Sequence, residues 1–178
     1  MFIQYLLMGT SPGASGDFIN KHLNKKNIEV NAYFSIIMPD TWTPMFDLTD
    51  SNKIKNTLEK STEEIKNIIP KIKNKENGNF MDKKKSYLIS KIGYILVYNR
   101  GMRKTKNFGA SNDCVSCGKC EKSCPINAIK IIDNRPRWIK KKCLACLRCL
   151  HRCPNFAIQY GTNTIKHGQY LNPYVDIE

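Results

Sequence analysis

The sequence predicts an α+β protein: an alternating strand–helix lobe first, then a short duplicated domain stapled by thiolate ligation. Two observations carry this. The front of the chain switches twice between an apolar or period-two run and a helical period, separated by turn residues. All eight cysteines lie behind it, in two runs of one spacing.

Ile3–Met8 is a short apolar run, long enough for a buried strand and far too short to span a membrane. It ends in the loop Gly9-Thr10-Ser11-Pro12-Gly13-Ala14-Ser15-Gly16. Asp17 then caps a helix to about Lys26, with Phe18, Ile19 and Leu23 on one face. From Ile28 the period becomes two: Ile28, Val30, Ala32, Phe34 and Ile36 alternate with more polar residues, which predicts a strand over Ile28–Ile37. A loop bearing proline and tryptophan, Pro39–Asp50, follows. Ile54, Leu58, Ile65, Ile68, Ile69 and Ile72 place a helix over Asn52–Lys73, which Pro70 kinks or ends. Strand, loop, helix, strand, loop, helix is α/β order with a parallel pair. Asn77-Gly78-Asn79 reads as a turn. Tyr87–Tyr98 is an apolar helix with Leu88, Ile92, Ile95 and Leu96 on one face, preceded by Lys83–Lys85 and followed by Arg100, Arg103, Lys104 and Lys106. It is expected to pack between the lobes with its tyrosine hydroxyls wet. The competing reading of the basic flanks is a helix lying on a membrane surface.

The cysteine runs are Cys114-x2-Cys117-x2-Cys120-x3-Cys124-Pro125 and Cys143-x2-Cys146-x2-Cys149-x3-Cys153-Pro154. A shift of 29 residues lays one on the other, Ala128 on Ala157 and Ile129 on Ile158 included, so the segment is an internal duplication. Gly118 has Leu147 as its counterpart, a departure from the repeat. Ile129–Ile132 and Arg137–Ile139 flank Asp133-Asn134-Arg135 as strand, turn and strand. Paired CxxC elements also build zinc ribbons, but a single tetrahedral ion has no use for the third cysteine or the Cys-Pro. Disulfides are disfavoured because Met1–Thr10 shows no basic leader or small-residue cleavage site, which makes a reducing cytoplasm the expected location. The spacing resembles that of bacterial two-cluster ferredoxins. That resemblance implies two 4Fe-4S clusters, with Cys114, Cys117, Cys120 and Cys153 on one and Cys143, Cys146, Cys149 and Cys124 on the other. It also implies electron transfer, with no catalytic side chain. Arg148, His151 and Arg152 would add positive charge beside the clusters and raise their potentials.

The formal charge is +14, and residues 1–51 are net acidic while every later stretch is net basic. Such a balance suits nucleic acid, an anionic membrane or an acidic redox partner. No nucleic-acid-binding motif is present, so specific nucleic-acid binding is not expected. An acidic partner protein fits an electron carrier best, and a membrane surface is not favoured. His22, His151 and His167 share no spacing with one another, and surface or packing roles are expected for all three.

The element order, the Gly-rich loop after the first strand, Met38-Pro39 after the second and the downstream cysteines resemble the flavodoxin-like/two-cluster ferredoxin fusion proteins of anaerobes. The likeness covers nearly the whole chain but only the latter part of the family's flavodoxin domain. It implies residues 1–74 as a partial flavodoxin-like lobe, 75–106 as a connector, 107–162 as the ferredoxin domain and 163–178 as a tail. The family's phosphate-cradling loop has no counterpart here. As a substitute, Gly9–Gly16 is poor: Pro12 removes an amide and Asp17 puts a carboxylate where a phosphate would sit. FMN is therefore not expected in this chain alone. A partner or second copy completing the lobe is expected instead, and the alternative is a flavin-dependent oxidoreductase passing electrons between FMN and the clusters.

Overall fold

A computed structural model describes residues 1–81 and 86–175, mixing helices and strands in both of its compact units. The first unit is Met1–Asp40 with Asp50–Ile95; the second is Thr41–Thr49 with the chain from Leu96 onward.

In the first unit, β1 (Ile3–Met8), β2 (Ala32–Ile37) and β3 (Gly78–Asn79) form a parallel sheet with β2 in the centre. Ile3 pairs with Ala32 and Tyr5 with Phe34. The alternation that predicts β2 begins at Ile28, yet the strand starts at Ala32. Asn27 takes a left-handed conformation (φ 55°) and the Ile28 amide turns back to Leu23 O at 3.1 Å, so Ile28 belongs to the stop of the preceding helix. The predicted turn at Asn77–Asn79 is instead partly strand: Gly78 N donates to Asn31 O at 2.9 Å and opens β3.

The helix α1 (Ser15–Leu23) has Asp17 inside its first turn and not at the cap, which Ala14 occupies without a side-chain bond. α2 (Ser51–Lys73) is capped by Asp50, whose carboxylate accepts from Lys53 N at 2.9 Å; Pro70 sits within its last turn and does not end it. Leu58 is buried, and the end of β2 is clamped to α2 by Glu64, which accepts from Ile37 N at 3.0 Å. Phe34, 1% exposed, stacks between Tyr5 and Phe80 at centroid distances of 5.7 and 5.0 Å.

α3 (Tyr87–Gly93) continues as a π-helix over Tyr94–Met102. No residue of either stretch is buried and Leu88, Ile89 and Ile92 are exposed, while Tyr87 lies against Phe18 with ring centroids 4.8 Å apart. Its predicted flank Lys83–Lys85 lies outside the described residues. Among the described residues no helix is long and apolar enough to cross a membrane.

The second unit pairs β4 (Phe108–Ala110) antiparallel with β7 (Ile158–Tyr160), and β5 (Ile129–Ile132) with β6 (Arg135–Trp138) as a hairpin. The hairpin turn holds only Asp133 and Asn134, both left-handed (φ 50° and 58°), so Arg135 opens β6 and is not in the turn. Three four-residue helices complete the unit: α4 (Lys119–Lys122), α5 (Arg148–His151) and α6 (Thr164–His167). Its core is Leu147, Leu150, Ile158 and Tyr160, with Phe108 and Trp138 packed against it.

Residues 41–49 strap onto this core. Trp42 meets Tyr160 edge-on at 5.3 Å, Leu48 N donates to His167 O at 2.9 Å, and His167 Nδ1 donates to Thr43 O at 2.6 Å. After Tyr160, Thr164 is buried. Gln169 Nε2 donates to Leu150 O at 2.7 Å and to Cys153 O at 2.8 Å, satisfying carbonyls at the end of α5.

Candidate metal centres

The two cysteine runs fold by the same local rules. In each, left-handed residues recur at the repeat interval: Ser116 (φ 55°) with Ala145 (54°), Gly118 (73°) with Leu147 (51°), and Asn127 (52°) with Phe156 (49°). These reversals curl the chain tightly enough for three thiols to face one space. A short helix then carries the fourth cysteine away from its own run. Its turn is closed in both halves by matching bonds: Cys124 N to Glu121 O and Cys153 N to Leu150 O, both at 3.2 Å.

The thiols gather in crossed sets. One pocket is lined by Cys114, Cys117 and Cys120 together with Cys153. The other is lined by Cys143, Cys146 and Cys149 together with Cys124. Apolar walls surround both: Ile131, Pro136 and Ile158 in the first, Phe108, Ile129, Trp138 and Leu147 in the second. A single tetrahedral zinc, with bonds of about 2.3 Å, needs thiolates about 3.8 Å apart. Among the described residues no three Cys, His, Asp or Glu side chains are grouped closely enough to hold a single metal ion.

Backbone amides already point at the sulfurs. Ala128 N donates to Cys124 Sγ, Ala157 N to Cys153 Sγ and Ala145 N to Cys143 Sγ, each at 3.2 Å. Such bonds are the protein's means of stabilising thiolate ligands and adjusting the potential of an iron–sulfur group. Burial works against free thiolates. It raises the Cys149 thiol far above the ordinary range, with Cys146, Cys120 and Cys143 adding to the effect. Burial likewise pushes Cys120 up to about 11, and raises Cys143, where Cys146 and Cys124 contribute as like charges. Sulfurs so placed favour either protons or a cation that neutralises them together. Four thiols, apolar walls and amide donors in each cavity fit a 4Fe-4S group.

The positive charge expected beside the thiols is only partly present. Arg148 lines the second cavity and is exposed. His151, however, is buried and neutral: Nε2 donates to Thr41 O at 2.9 Å while Nδ1 accepts from Tyr170 N at 3.1 Å, and burial lowers its pKa. Its role is structural. Glu121 was not singled out by the sequence. It accepts from Lys130 Nζ and Ile131 N, both at 2.8 Å, and ties the first run to the hairpin. The signal that could have found it is a lone acid inside an otherwise basic repeat.

Comparison with known proteins bears on the same segment. Residues 108–154 match the family model of the 4Fe-4S dicluster domain. A stretch of 46 residues is 41% identical to one component of the ion-translocating oxidoreductase complex of Methanosarcina acetivorans, covering 26% of this chain and 17% of that component. These matches support at least one 4Fe-4S cluster in this segment and iron–sulfur electron transfer as its class of function.

Proposed function

We propose that residues 107–162 form a two-cluster ferredoxin domain that moves one electron at a time between partner proteins. Cys114, Cys117, Cys120 and Cys153 are the ligands of one 4Fe-4S cluster, and Cys143, Cys146, Cys149 and Cys124 of the other. The observation that carries the reading is the pair of cavities, each gathering three thiols of one run and the fourth of the other. When bound, such clusters supply reversible one-electron chemistry. The chain's own residues hold the ligand set, donate amide bonds to the sulfurs and wall the site with aliphatic and aromatic side chains.

The first unit is the latter part of a flavodoxin-like lobe. Its support is the parallel sheet, in which β1 is an edge strand whose unpaired backbone is open to further strands. A partner or second copy supplies them. Since the relative is named as one subunit of an oxidoreductase complex, this chain is read as a component of a multi-subunit electron-transfer assembly. FMN is not assigned to this chain: Gly13 N is turned to Ser11 Oγ and Ser15 N to Pro12 O, both at 3.1 Å, inside the loop.

Iron, acid-labile sulfide, zinc and flavin per chain on anaerobically purified protein test the reading. About eight irons and eight sulfides without flavin are expected. Four of each would reduce the site to one cluster, stoichiometric FMN would make the chain a flavin oxidoreductase, and zinc without sulfide would overturn the proposal.

A further inference from the structure

A wide groove runs over the second unit, outside the thiol cavities. One wall is Lys104–Ala110, carrying Lys104 and Lys106; the other is Arg135–Lys142, carrying Arg135, Arg137 and Lys140–Lys142. An antiparallel bridge between Lys104 and Lys142, with Thr105 N donating to Lys141 O at 3.2 Å, joins the two walls. Seven basic side chains line the groove and no acidic one does. Among the described residues none of the seven forms an ion pair, although Lys130 and Lys71 elsewhere do. Like charges brought this close repel one another, which costs stability; the arrangement is intelligible if an anionic surface enters.

The floor of the groove is also the wall of the metal centres. Phe108 and Trp138, stacked at 5.2 Å, line both the groove and the cavity of Cys124, Cys143, Cys146 and Cys149. Pro136 lines both the groove and the cavity of Cys114, Cys117, Cys120 and Cys153. A partner seated here is therefore one side chain from either thiol set.

Resting on the electron-transfer reading above, we propose that this groove is the docking site of the redox partner, which enters it with an acidic surface segment, and that electrons cross at Trp138 and Phe108. The adjacency to both cavities favours a redox protein over a nucleic acid, for which access to the clusters would serve nothing. Basic charge so arranged steers an acidic partner and keeps the encounter brief and salt-dependent.

The test compares the loaded wild-type protein with K106E/R137E/K141E, three exposed side chains free of the cluster walls, and with K53E/K55E/K60E on α2 as the control, each first reduced with dithionite and freed of excess reductant. An acidic flavodoxin is the partner probe. Its reduction is followed by stopped flow at low and high salt, and its cross-linking by carbodiimide is mapped by peptide analysis. The groove variant is expected to lose tenfold or more of the low-salt rate and most of its salt dependence, while the control keeps both. Cross-links are expected at Lys104, Lys106 and Lys140–Lys142 of the wild-type protein. Equal rates in all three proteins, or an equal loss in the control, would overturn the proposal. So would a 20-base-pair DNA duplex that displaces the flavodoxin and itself binds tightly in the groove. Iron and sulfide content separates the two levels. Loaded clusters with no groove effect sink the docking site alone, whereas cross-links mapped to the groove on a chain without iron or sulfide sink the electron-transfer reading and leave an acidic-protein site.

Discussion

The two cysteine runs share a backbone path but not an environment. In the second, Leu147, Leu150 and His151 are buried, and Leu147 and Leu150 belong to the core of the unit. Their counterparts in the first run are Gly118, Glu121 and Lys122, none of them buried. Duplication has thus kept what the thiols require and divided the remaining duties. At these positions the second run supplies the core, while the first is tied down by Glu121, which accepts from Lys130 and the Ile131 amide; behind both runs Ala128 and Ile129 are buried like their counterparts Ala157 and Ile158. The backbone path around the cysteines is local and repeats, whereas a small domain has room for only one core.

The largest expected effect follows from the crossing of the thiol sets. Cys124→Ser should remove the cluster whose other three ligands are Cys143, Cys146 and Cys149, taking iron from about eight to about four per chain. Cys153→Ser should spare that cluster and remove the other. Electron paramagnetic resonance of the reduced variants distinguishes the two losses. If each variant instead lost the cluster of its own run, the halves would be independent and the proposed ligation wrong.

Next in size is the division of the core. Leu150→Ala should cost about 2–5 kcal/mol, as for a fully buried leucine. Glu121→Ala at the equivalent position should cost distinctly less, because it loosens an exposed clamp and opens no cavity. Denaturant unfolding of the loaded proteins, followed by cluster absorbance, gives the order. Equal losses would mean that the second run is not the structural half.

The left-handed pair Gly118 and Leu147 gives a smaller effect. No atom lies within 4 Å of a Cβ placed on Gly118, so Gly118→Ala should cost only the strain of φ 73°, about 1 kcal/mol. Leu147 already bears that strain, and its side chain, 2% exposed, offsets it by burial. Leu147→Gly should therefore destabilise despite relieving the backbone. A stabilised Leu147→Gly would show that conformational strain outweighs packing here.

What can be read from the sequence divides along the same line between local and distant. The strand at Ile3–Met8, the helix at Asn52–Lys73 and the three closely spaced cysteines of each run rest on residues close in the chain; the crossing of Cys124 and Cys153 between the runs is implied only by the family resemblance. β3 is missed because two residues become a strand only through Asn31 O, a tertiary partner with no signature at Gly78. The strap at Thr41–Thr49 is missed because its partners, His151, Tyr160 and His167, come more than a hundred residues later. The basic total was plain, but its concentration in one groove depends on Lys104 meeting Lys142.

His151 shows the same limit and supplies the smallest effect. Beside Cys149 in the sequence it reads as a positive charge; in the fold, Thr41 and Tyr170 fix the neutral tautomer in a buried site. Burial lowers its pKa from 6.5, so the unfolded chain takes up a proton before the folded one does as pH falls. The stability it contributes is complete above about pH 6.5 and is lost as pH falls through the lower folded value. Its counterpart in the first run, Lys122, is exposed and is not a histidine, so the first run has no such switch. The rate at which loaded protein loses visible cluster absorbance at a fixed elevated temperature should rise as pH drops from 7 towards 5, and His151→Gln should flatten that rise while Lys122→Gln leaves it unchanged. An identical slope in all three proteins would mean that acid acts on the cluster ligands directly and not through the strap that His151 holds.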